Sequence, residues 1–173
     1  PGQLFSLRGP RDPGFTFIPG RFARIGLPVG VNAEQGAAPE WRAYSMVSAA
    51  DENLLEFYSV VVPDGKFSPA LARLAPGDTL WVDKTPFGFL TLERFADGED
   101  LWLIATGTGL SAYLSMLRDP ATWQKFSRIV LDHGVRHAGE LAYREALLDL
   151  VARHTGGPAG LVTYLPVTSR EPP

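Results

Sequence analysis

The sequence contains no cysteine, which excludes disulfide bonds and metal sites built on thiolates. It has no apolar run of the about 20 residues that a membrane-spanning helix needs, and no signal-peptide pattern opens it. Neither sign of charge dominates, because 16 Lys and Arg stand against 19 Asp and Glu, for a net charge of −3. We therefore expect a cytoplasmic protein that binds neither nucleic acid nor membrane surfaces.

The first half of the chain has the pattern of a small antiparallel β-barrel. Short runs of alternating or β-branched residues predict strands at 4–8, 21–27, 42–48, 54–62, 79–83 and 87–92. One short helix is expected at 68–74, with Ser68 as its N-cap and Pro69 at its first helical position. Many short strands at close spacing are typical of a closed antiparallel sheet.

The second half has a different period. Apolar runs of strand length at 101–106, 128–135 and 161–167 alternate with helical patterns at 110–118 and 138–154. The order β-α-β-α-β predicts a parallel sheet with right-handed crossovers. We place the boundary in the polar turn at 96–100, so that residues 1–97 form one domain and residues 98–173 the other.

Residues 42–45 alternate an arginine, an aromatic residue and a hydroxyl. In a strand, Arg42 and Tyr44 share one face, and Ala43 and Ser45 share the other. A guanidinium can pair with phosphate, and a phenol ring can lie on a flat heterocycle. An ordinary edge strand has the same four-residue pattern, so the functional interpretation needs other anion-binding groups in the chain.

Two further segments provide such groups. Gly107-Thr108-Gly109 follows a predicted strand, precedes a helix and, with Ala112, matches the dinucleotide pattern G-x-G-x-x-A. Lys66-Phe67-Ser68 combines a cation with a helix start, which suits a pyrophosphate, although for this segment alone a routine helix cap is the better explanation. Asp132 stands near the expected offset for the acidic partner of the glycine pattern, but it lies within an apolar strand, which speaks against that role.

Arginines follow the second and third strands of the predicted parallel sheet. Arg136, Ser169 and Arg170 come at the carboxyl ends, where open α/β sheets bind their ligands, and Ser169-Arg170 suits a 2′-phosphate. Two surface arginines are the alternative. His133 and His137 are four residues apart but lie across a strand end, so we expect no metal site.

In this order, the motifs resemble those of the bacterial ferredoxin (flavodoxin)–NADP(H) reductases, over essentially the whole chain. The pieces that carry the resemblance are Pro-Gly-Arg-Phe at 19–22, Arg-Ala-Tyr-Ser at 42–45, Pro-Asp-Gly-Lys-Phe-Ser-Pro at 63–69, Ala-Thr-Gly-Thr-Gly at 105–109 and Val-Thr-Ser-Arg at 167–170. Phe57-Tyr58, ahead of the Pro-Asp-Gly-Lys run, narrows the resemblance to the bacterial branch.

The resemblance implies a six-stranded FAD-binding barrel followed by an NADP(H)-binding α/β domain. It implies that Arg42 holds the FAD pyrophosphate and that Tyr44 packs on the flavin, next to Ala43. Ser45 would lie near flavin N5, Thr108 would lie at the junction of flavin and nicotinamide, and these two with Tyr44 are the implied catalytic residues. The other implied contacts are Tyr58, Ser59, Val60, Val61, Lys66, Phe67 and Ser68 for FAD, and Arg136, Ser169 and Arg170 for NADP(H).

The implied function is electron transfer between NADPH and a ferredoxin or flavodoxin, by hydride transfer to FAD in a monomer. The reductase component of an oxygenase and a free-flavin reductase share these motifs, and a flavin-holding module inert toward nicotinamide is the non-enzymatic alternative. The family continues with further parallel strands, so the sequence is expected to be truncated. The apolar edge at 161–165 would then be prone to aggregation.

Overall fold

The computed structural model of the protein describes residues 3–28, 39–154 and 162–171, without the side chain of Val162. Its antiparallel half contains β1 (Leu4–Pro10), β2 (Phe22–Leu27), β3 (Glu40–Ser45), β4 (Leu54–Val60), α1 (Phe67–Ala72) and β5 (Trp81–Val82). Its parallel half contains β6 (Asp100–Thr106), α2 (Leu110–Leu117), α3 (Pro120–Lys125), β7 (Arg128–Val135), α4 (Arg144–His154) and β8 (Val162–Thr168). Single 3₁₀ turns cover Leu92–Arg94, Gly107–Gly109 and Ala138–Glu140.

The antiparallel half consists of two small sheets closed around one apolar core. β1 pairs with β4, and β2 lies between β3 and β5. Bridges between Met46 and Phe57 and between Phe22 and Phe87 complete the hydrogen bonding. The core consists of Phe15, Phe17, Ala23, Ile25, Leu27, Met46, Leu55, Phe57, Phe67 and Leu71.

Five antiparallel strands are present among the described residues, so the predicted six-stranded count stays a prediction. The strand expected at 87–92 is wrong, because Phe87 forms one isolated bridge and the chain then turns through Leu92–Arg94. The segment before the turn packs closely on Gly20, since a Cβ at that position would lie 1.8 Å from the Leu90 carbonyl oxygen. Gly20 also has φ +92°, which favours glycine.

The short helix α1 starts two residues earlier than predicted, at Phe67 instead of Pro69. Its N-cap is Lys66, without a side-chain cap, so the prediction of Ser68 as N-cap is wrong. Ser68 Oγ instead accepts a hydrogen bond from the Val62 N–H at 2.9 Å. Phe67 and Leu71 are four residues apart, and both are buried in the core, so packing of this face outweighs the local cap signal.

The parallel half confirms the predicted β-α-β-α-β order. β6, β7 and β8 form a parallel sheet with β7 in the centre, and β7 has the bounds predicted from sequence. The short helix α3 was not predicted, although Asp119 before Pro120 is a start signal and Asp119 Oδ1 accepts the Ala121 N–H. The helix expected at 138–154 begins only at Arg144, because Tyr143 adopts φ +59°.

The two faces of the parallel sheet differ in burial. Leu101, Leu103 and Leu131 are covered by helices α2 and α4, in one continuous core. On the opposite face, large apolar side chains are exposed, namely Trp102 (58%), Ile104 (66%), Leu165 (39%) and Val167 (47%). Among the described residues, no helix has both the length and the apolarity to span a membrane.

Strand β4 joins the two halves, because its side chains alternate between them. Leu55 and Phe57 point into the antiparallel core, whereas Tyr58 belongs to the core of the parallel half. The ring of Tyr58 meets that of Tyr143 edge to face at 5.3 Å. This shared packing holds the end of β4 beside the carboxyl edge of the parallel sheet.

Candidate functional site

A cleft of about 610 Å³ lies where the end of β4 faces the carboxyl ends of the parallel strands. The antiparallel half lines it with Leu4, Val60, Val61, Val62 and Pro63, and the parallel half with Thr106, Gly107, Thr108, Gly134, Val135, Arg136, Glu140, Val167 and Ser169. Most of this lining is apolar or small, and the charged groups stand at one end. The carboxyl edge of a parallel sheet is the usual ligand position in open α/β folds.

The glycine loop between β6 and α2 forms one wall of the cleft. Gly107 adopts φ +50°, and no atom lies within 4 Å of the position that a Cβ would take, so the loop presents backbone on its open side. The Ser111 hydroxyl donates to the Thr108 carbonyl at 2.8 Å, which fixes the first turn of α2. Backbone held open in this way suits the close approach of a phosphate or a planar ring.

The loop is supported from below by His133, whose contribution the sequence did not reveal. His133 lies in β7 and is fully buried, and its Nε2 lies 3.2 Å from the Gly107 carbonyl oxygen. Burial lowers the pKa of His133, so the ring is neutral and Nε2–H donates to that carbonyl. This hydrogen bond to the Gly107 carbonyl gives the buried His133 ring a partner within the sheet.

The carboxyl ends of β7 and β8 bring two of the predicted arginines side by side. The backbone N–H groups of Ser169 and Arg170 donate to the carbonyls of Val135 and Arg136, which extends the pairing beyond the strands. Arg136 is bound by Glu140, with Nη2 at 2.6 Å from Oε1 and Nε at 3.3 Å from Oε2. The hydrogen bond from Arg136 also lowers the pKa of the Glu140 carboxyl.

Arg170 differs from Arg136 in its surroundings. It is exposed, and its guanidinium has no hydrogen-bond or ion-pair partner within the part of the chain that the structure describes. Its neighbour Glu171 binds the segment that follows β7. Glu171 Oε2 accepts a hydrogen bond from the Ala138 N–H at 2.9 Å, and Oε1 lies 3.4 Å from His137 Nδ1. The free guanidinium at this edge is therefore that of Arg170.

A second group of predicted residues gathers on the antiparallel half, away from the lining of the cleft. The guanidinium of Arg42 lies 5.6 Å from the ring centre of Phe67, and the ring of Tyr44 stacks on Phe67 at 6.1 Å. Arg42 also donates to the Trp41 carbonyl at 2.8 Å and to Glu40 at 3.0 Å. The structure thus brings two separately predicted anion-binding segments, 42–45 and 66–68, to one place.

The remaining predicted residues divide by burial. Lys66 and Ala43 are exposed, and Ser45 is half-buried opposite Phe22. Val60 and Val61 line the cleft. Tyr58 and Ser59 are 5% and 6% exposed. The Tyr58 side chain packs in the core of the parallel half, whereas the Ser59 hydroxyl is hydrogen-bonded to Tyr44 of the antiparallel half. Their predicted contact with FAD stays a prediction.

The Tyr58 hydroxyl has an unusual environment. It is buried and has no hydrogen-bond partner among the described residues. Burial, reinforced by the charge of Glu140, raises the pKa of Tyr58 to about 12. The phenol therefore stays protonated. It lies in β4, two residues before Val60, which lines the cleft.

The arrangement favours binding and orientation over acid–base chemistry. Arg42 and Lys66 supply positive charge on one half and Arg136 and Arg170 on the other, and the lining of the cleft is mainly apolar. Glu140, the carboxylate in the lining, is already paired with Arg136. Within the described ranges, no group of three or more His, Cys, Asp or Glu side chains is placed to hold a metal ion.

Comparison with known proteins finds similar sequences along most of the chain. Residues 103–173 match the model of the oxidoreductase NAD-binding domain. The chain is 37% identical over 172 residues to a ferredoxin–NADP reductase from Pseudomonas aeruginosa, covering 98% of this chain and 64% of that protein. It is 40% identical over 153 residues to the flavodoxin/ferredoxin–NADP reductase of Escherichia coli, covering 88% of this chain and 59% of the relative.

A solved structure agrees with the sequence relatives. The ferredoxin NADP⁺ reductase of Neisseria gonorrhoeae, with bound FAD and NADP, superposes with a TM-score of 0.86 at 34% identity. The match covers 98% of this chain and 64% of that chain. The chain therefore spans somewhat less than two thirds of the length of these relatives, and over that span it is similar to the ferredoxin/flavodoxin–NADP reductases.

Proposed function

We propose that this chain is part of an oxidoreductase that passes electrons between NADPH and a small carrier protein through FAD. The observation that carries the proposal is the cleft. It brings the end of β4, next to the aromatic and cationic group of the antiparallel half, against Thr108 and the arginine-bearing strand ends of the parallel half. A site that must hold two nucleotides with their reactive rings together needs an anion-binding group on each side of one apolar slot.

The residues of the antiparallel half fit FAD by their chemistry. Arg42 offers a planar fork of donors for a pyrophosphate, with Lys66 as a second exposed cation. Tyr44 and Phe67 form a stacked aromatic pair beside that guanidinium, which suits a flat heterocycle. When bound, FAD supplies the chemistry, because the flavin accepts a hydride at N5 and releases electrons singly.

This chain contributes position and electrostatics. Tyr44 packs against the flavin, and burial raises the pKa of its hydroxyl, so the ring stays neutral. Ser45 places a hydroxyl at the adjoining strand end, and Thr108 places another on the glycine loop across the cleft. We assign to these two hydroxyls the orientation of the reacting rings, which must approach within contact distance.

The sheet end of the cleft provides the preference for NADPH. Ser169 and Arg170 present a hydroxyl and a free guanidinium at the carboxyl end of β8, next to Arg136 on β7. A guanidinium pairs with a phosphate dianion more strongly than with a ribose hydroxyl, so this end recognises the 2′-phosphate. The Tyr58 and Ser59 contacts of the FAD site would require local rearrangement of the buried end of β4.

The partner and the setting are proposed from the relatives. The two curated relatives are called a ferredoxin–NADP reductase and a flavodoxin/ferredoxin–NADP reductase. We infer that a ferredoxin or flavodoxin is the electron carrier, and that the enzyme works as a cytoplasmic monomer without binding nucleic acid.

The test of the proposal uses the full-length protein. Its chromophore, released by heat, should be FAD on chromatography. NADPH should reduce that flavin in the absence of oxygen, and the reduced enzyme should then reduce added ferredoxin or flavodoxin. Recovery of FMN alone, or a flavin that NADPH leaves oxidised, would refute the assignment.

A further inference from the structure

A buried carboxylate, Glu56, lies where the two halves of the molecule meet. It is 4% exposed, although it stands in the middle of strand β4. Its backbone is fixed too, since its N–H donates to Ser48 Oγ at 2.6 Å and its carbonyl accepts the Val47 N–H at 2.8 Å. A buried charge that is held so firmly needs partners for every lone pair.

The partners come from both halves of the molecule. On the antiparallel half, Arg8 Nε donates to Glu56 Oε1 at 3.0 Å. On the parallel half, the Tyr143 hydroxyl donates to the same oxygen at 2.9 Å, and Arg118 Nη1 lies 3.5 Å from Oε2. We call these four residues, Arg8, Glu56, Arg118 and Tyr143, the Glu56 cluster.

Glu56 shifts the pKa values of two of its partners. The hydrogen bond to Glu56 raises the pKa of the Arg8 guanidinium. Burial, together with the charge of Glu56, raises the pKa of Tyr143, which keeps its hydroxyl as a donor. The backbone of Tyr143 has φ +59°, so this side chain is held in place by an uncommon backbone conformation.

Neighbouring hydrogen bonds tie helix α2 to the same place. Ser115 donates to the Ser48 carbonyl at 2.7 Å, and Arg118 donates to the Val47 carbonyl at 3.1 Å. Both residues lie at the C-terminal end of α2, whose other end begins directly after the glycine loop 107–109. The helix therefore connects the Glu56 cluster to one wall of the cleft.

Strand β4 connects the cluster to the other wall. Val60, four residues after Glu56, lines the cleft opposite Thr108. The two walls are thus the far ends of β4 and α2, which meet at Glu56. From Glu56 to its wall of the cleft, each element is about 12–13 Å long. A small change in the angle between β4 and α2 at this joint moves the two walls relative to each other.

We propose that Glu56 is a positioning residue that sets the spacing of the two cleft walls, and so the alignment of nicotinamide with flavin. The inference rests on the proposed function, because the aligned rings are those of NADPH and FAD. Stability alone is a poor reason for such a group, since a well-packed apolar pair at a buried site is often as stable as an ion pair. Directional bonds to both halves, by contrast, specify one relative orientation.

Substitutions of the two residues that donate to Glu56 Oε1 form a matched pair. Tyr143→Phe removes the bond from the parallel half, and Arg8→Gln removes the bond from the antiparallel half. Glu56→Gln weakens all of them, and Glu52→Gln is the charge control, because Glu52 lies 3.7 Å from Arg118 but is partly exposed. All are made in the full-length protein, with FAD content and thermal unfolding measured first.

Stopped-flow reduction of the flavin by NADPH is then compared with NADP⁺ affinity and with oxidation of the photoreduced flavin by ferricyanide. Since misplacement by about 1 Å can cost on the order of 10²-fold, we expect Glu56→Gln to slow reduction by about 10- to 100-fold. Tyr143→Phe should slow it by about threefold to tenfold, and Arg8→Gln and Glu52→Gln by less than about twofold. FAD content, NADP⁺ affinity and the ferricyanide rate should stay unchanged.

The outcomes separate the two proposals. If NADPH fails to reduce the unsubstituted protein, the proposed function is wrong. If it reduces that protein normally while Tyr143→Phe and Arg8→Gln behave alike, Glu56 does not set the orientation. Loss of FAD and NADP⁺ binding in Tyr143→Phe, in parallel with the rate, would also overturn the inference, because it would indicate a general role in folding. If Glu56→Gln does not fold, the Tyr143→Phe and Arg8→Gln pair still decides the question.

Discussion

Two exposed arginines, Arg42 on the antiparallel half and Arg170 on the parallel half, differ in how their guanidinium groups are held. On the antiparallel half, Arg42 is already braced by the Phe67 ring, the Trp41 carbonyl and Glu40. On the parallel half, Arg170 is exposed and its guanidinium has no hydrogen-bond or ion-pair partner among the described residues. A braced group loses little freedom on binding, which suits a cofactor that stays bound, whereas a free group suits a nucleotide that must leave after each cycle.

The strongest expected effect concerns the free arginine. Arg170→Ala should weaken NADPH binding by roughly 1.5–3 kcal/mol, on the order of tenfold to a hundredfold, because charge-assisted bonds to a phosphate are lost. NADH use should be nearly unchanged, since NADH lacks the 2′-phosphate. The measurement is kcat/KM for both nucleotides in the full-length enzyme.

Arg153→Ala is the matched control, because Arg153 is an exposed arginine on α4 whose recorded bond is to the Asp149 carbonyl. Arg136→Ala should cost less than Arg170→Ala, because its charge is compensated by Glu140. Equal kcat/KM for NADPH and NADH in the unsubstituted protein would remove the basis of the comparison.

The braced arginine gives the next prediction. Arg42→Ala should weaken FAD binding by about 1.5 kcal/mol, the lower end of the range for bonds to charged groups, because Lys66 remains close in sequence to the same aromatic pair. FAD release during dialysis, followed by fluorescence, measures this. An unchanged affinity would show that the pyrophosphate is held elsewhere.

The features of this site that depend on neighbouring residues could be predicted from the sequence, and those that depend on contacts between distant residues could not. Local alternation and glycine patterns predicted β7 to the residue, the glycine loop and the strand-end arginines. The Ser68 cap failed because burial of Phe67 and Leu71 decides where α1 begins. The buried contacts of Glu56 and His133 could not be predicted, because a polar residue in a strand is usually solvent-facing and the partners named above lie 26 and 87 residues away in the chain.

A smaller effect tests the ion pair that restrains Arg136. Glu140→Gln should raise NADPH affinity by about twofold to fivefold, because it removes a negative charge and releases the guanidinium; the gain should shrink at high salt. Titration of NADP⁺ at low and high ionic strength measures it. Glu145→Gln is the control. Glu145 lies in the first turn of α4 and outside the lining of the cleft, so this substitution should leave the affinity for NADP⁺ unchanged.

The smallest effect concerns pH. Burial lowers the pKa of His133, so the unfolded chain binds more protons at that site than the folded protein does. His133 therefore contributes stability that is present above its ordinary value of about 6.5 and is lost as the pH falls below it. Chemical unfolding measures this at pH 7.5 and 5.5. The free energy of unfolding should change less between the two pH values in His133→Gln than in the unsubstituted protein, and an equal change would contradict the prediction.

Single-turnover reduction of the bound flavin by NADPH tests the central claim, that the cleft between the halves is where the two nucleotides meet. We predict rapid bleaching of the flavin in the full-length protein, and slower bleaching in Ser45→Ala and in Thr108→Ala, with bound FAD unchanged in both variants. One hydroxyl comes from each half, so both substitutions must act if the junction is the reaction site. Bleaching at the unsubstituted rate in either variant would contradict the account.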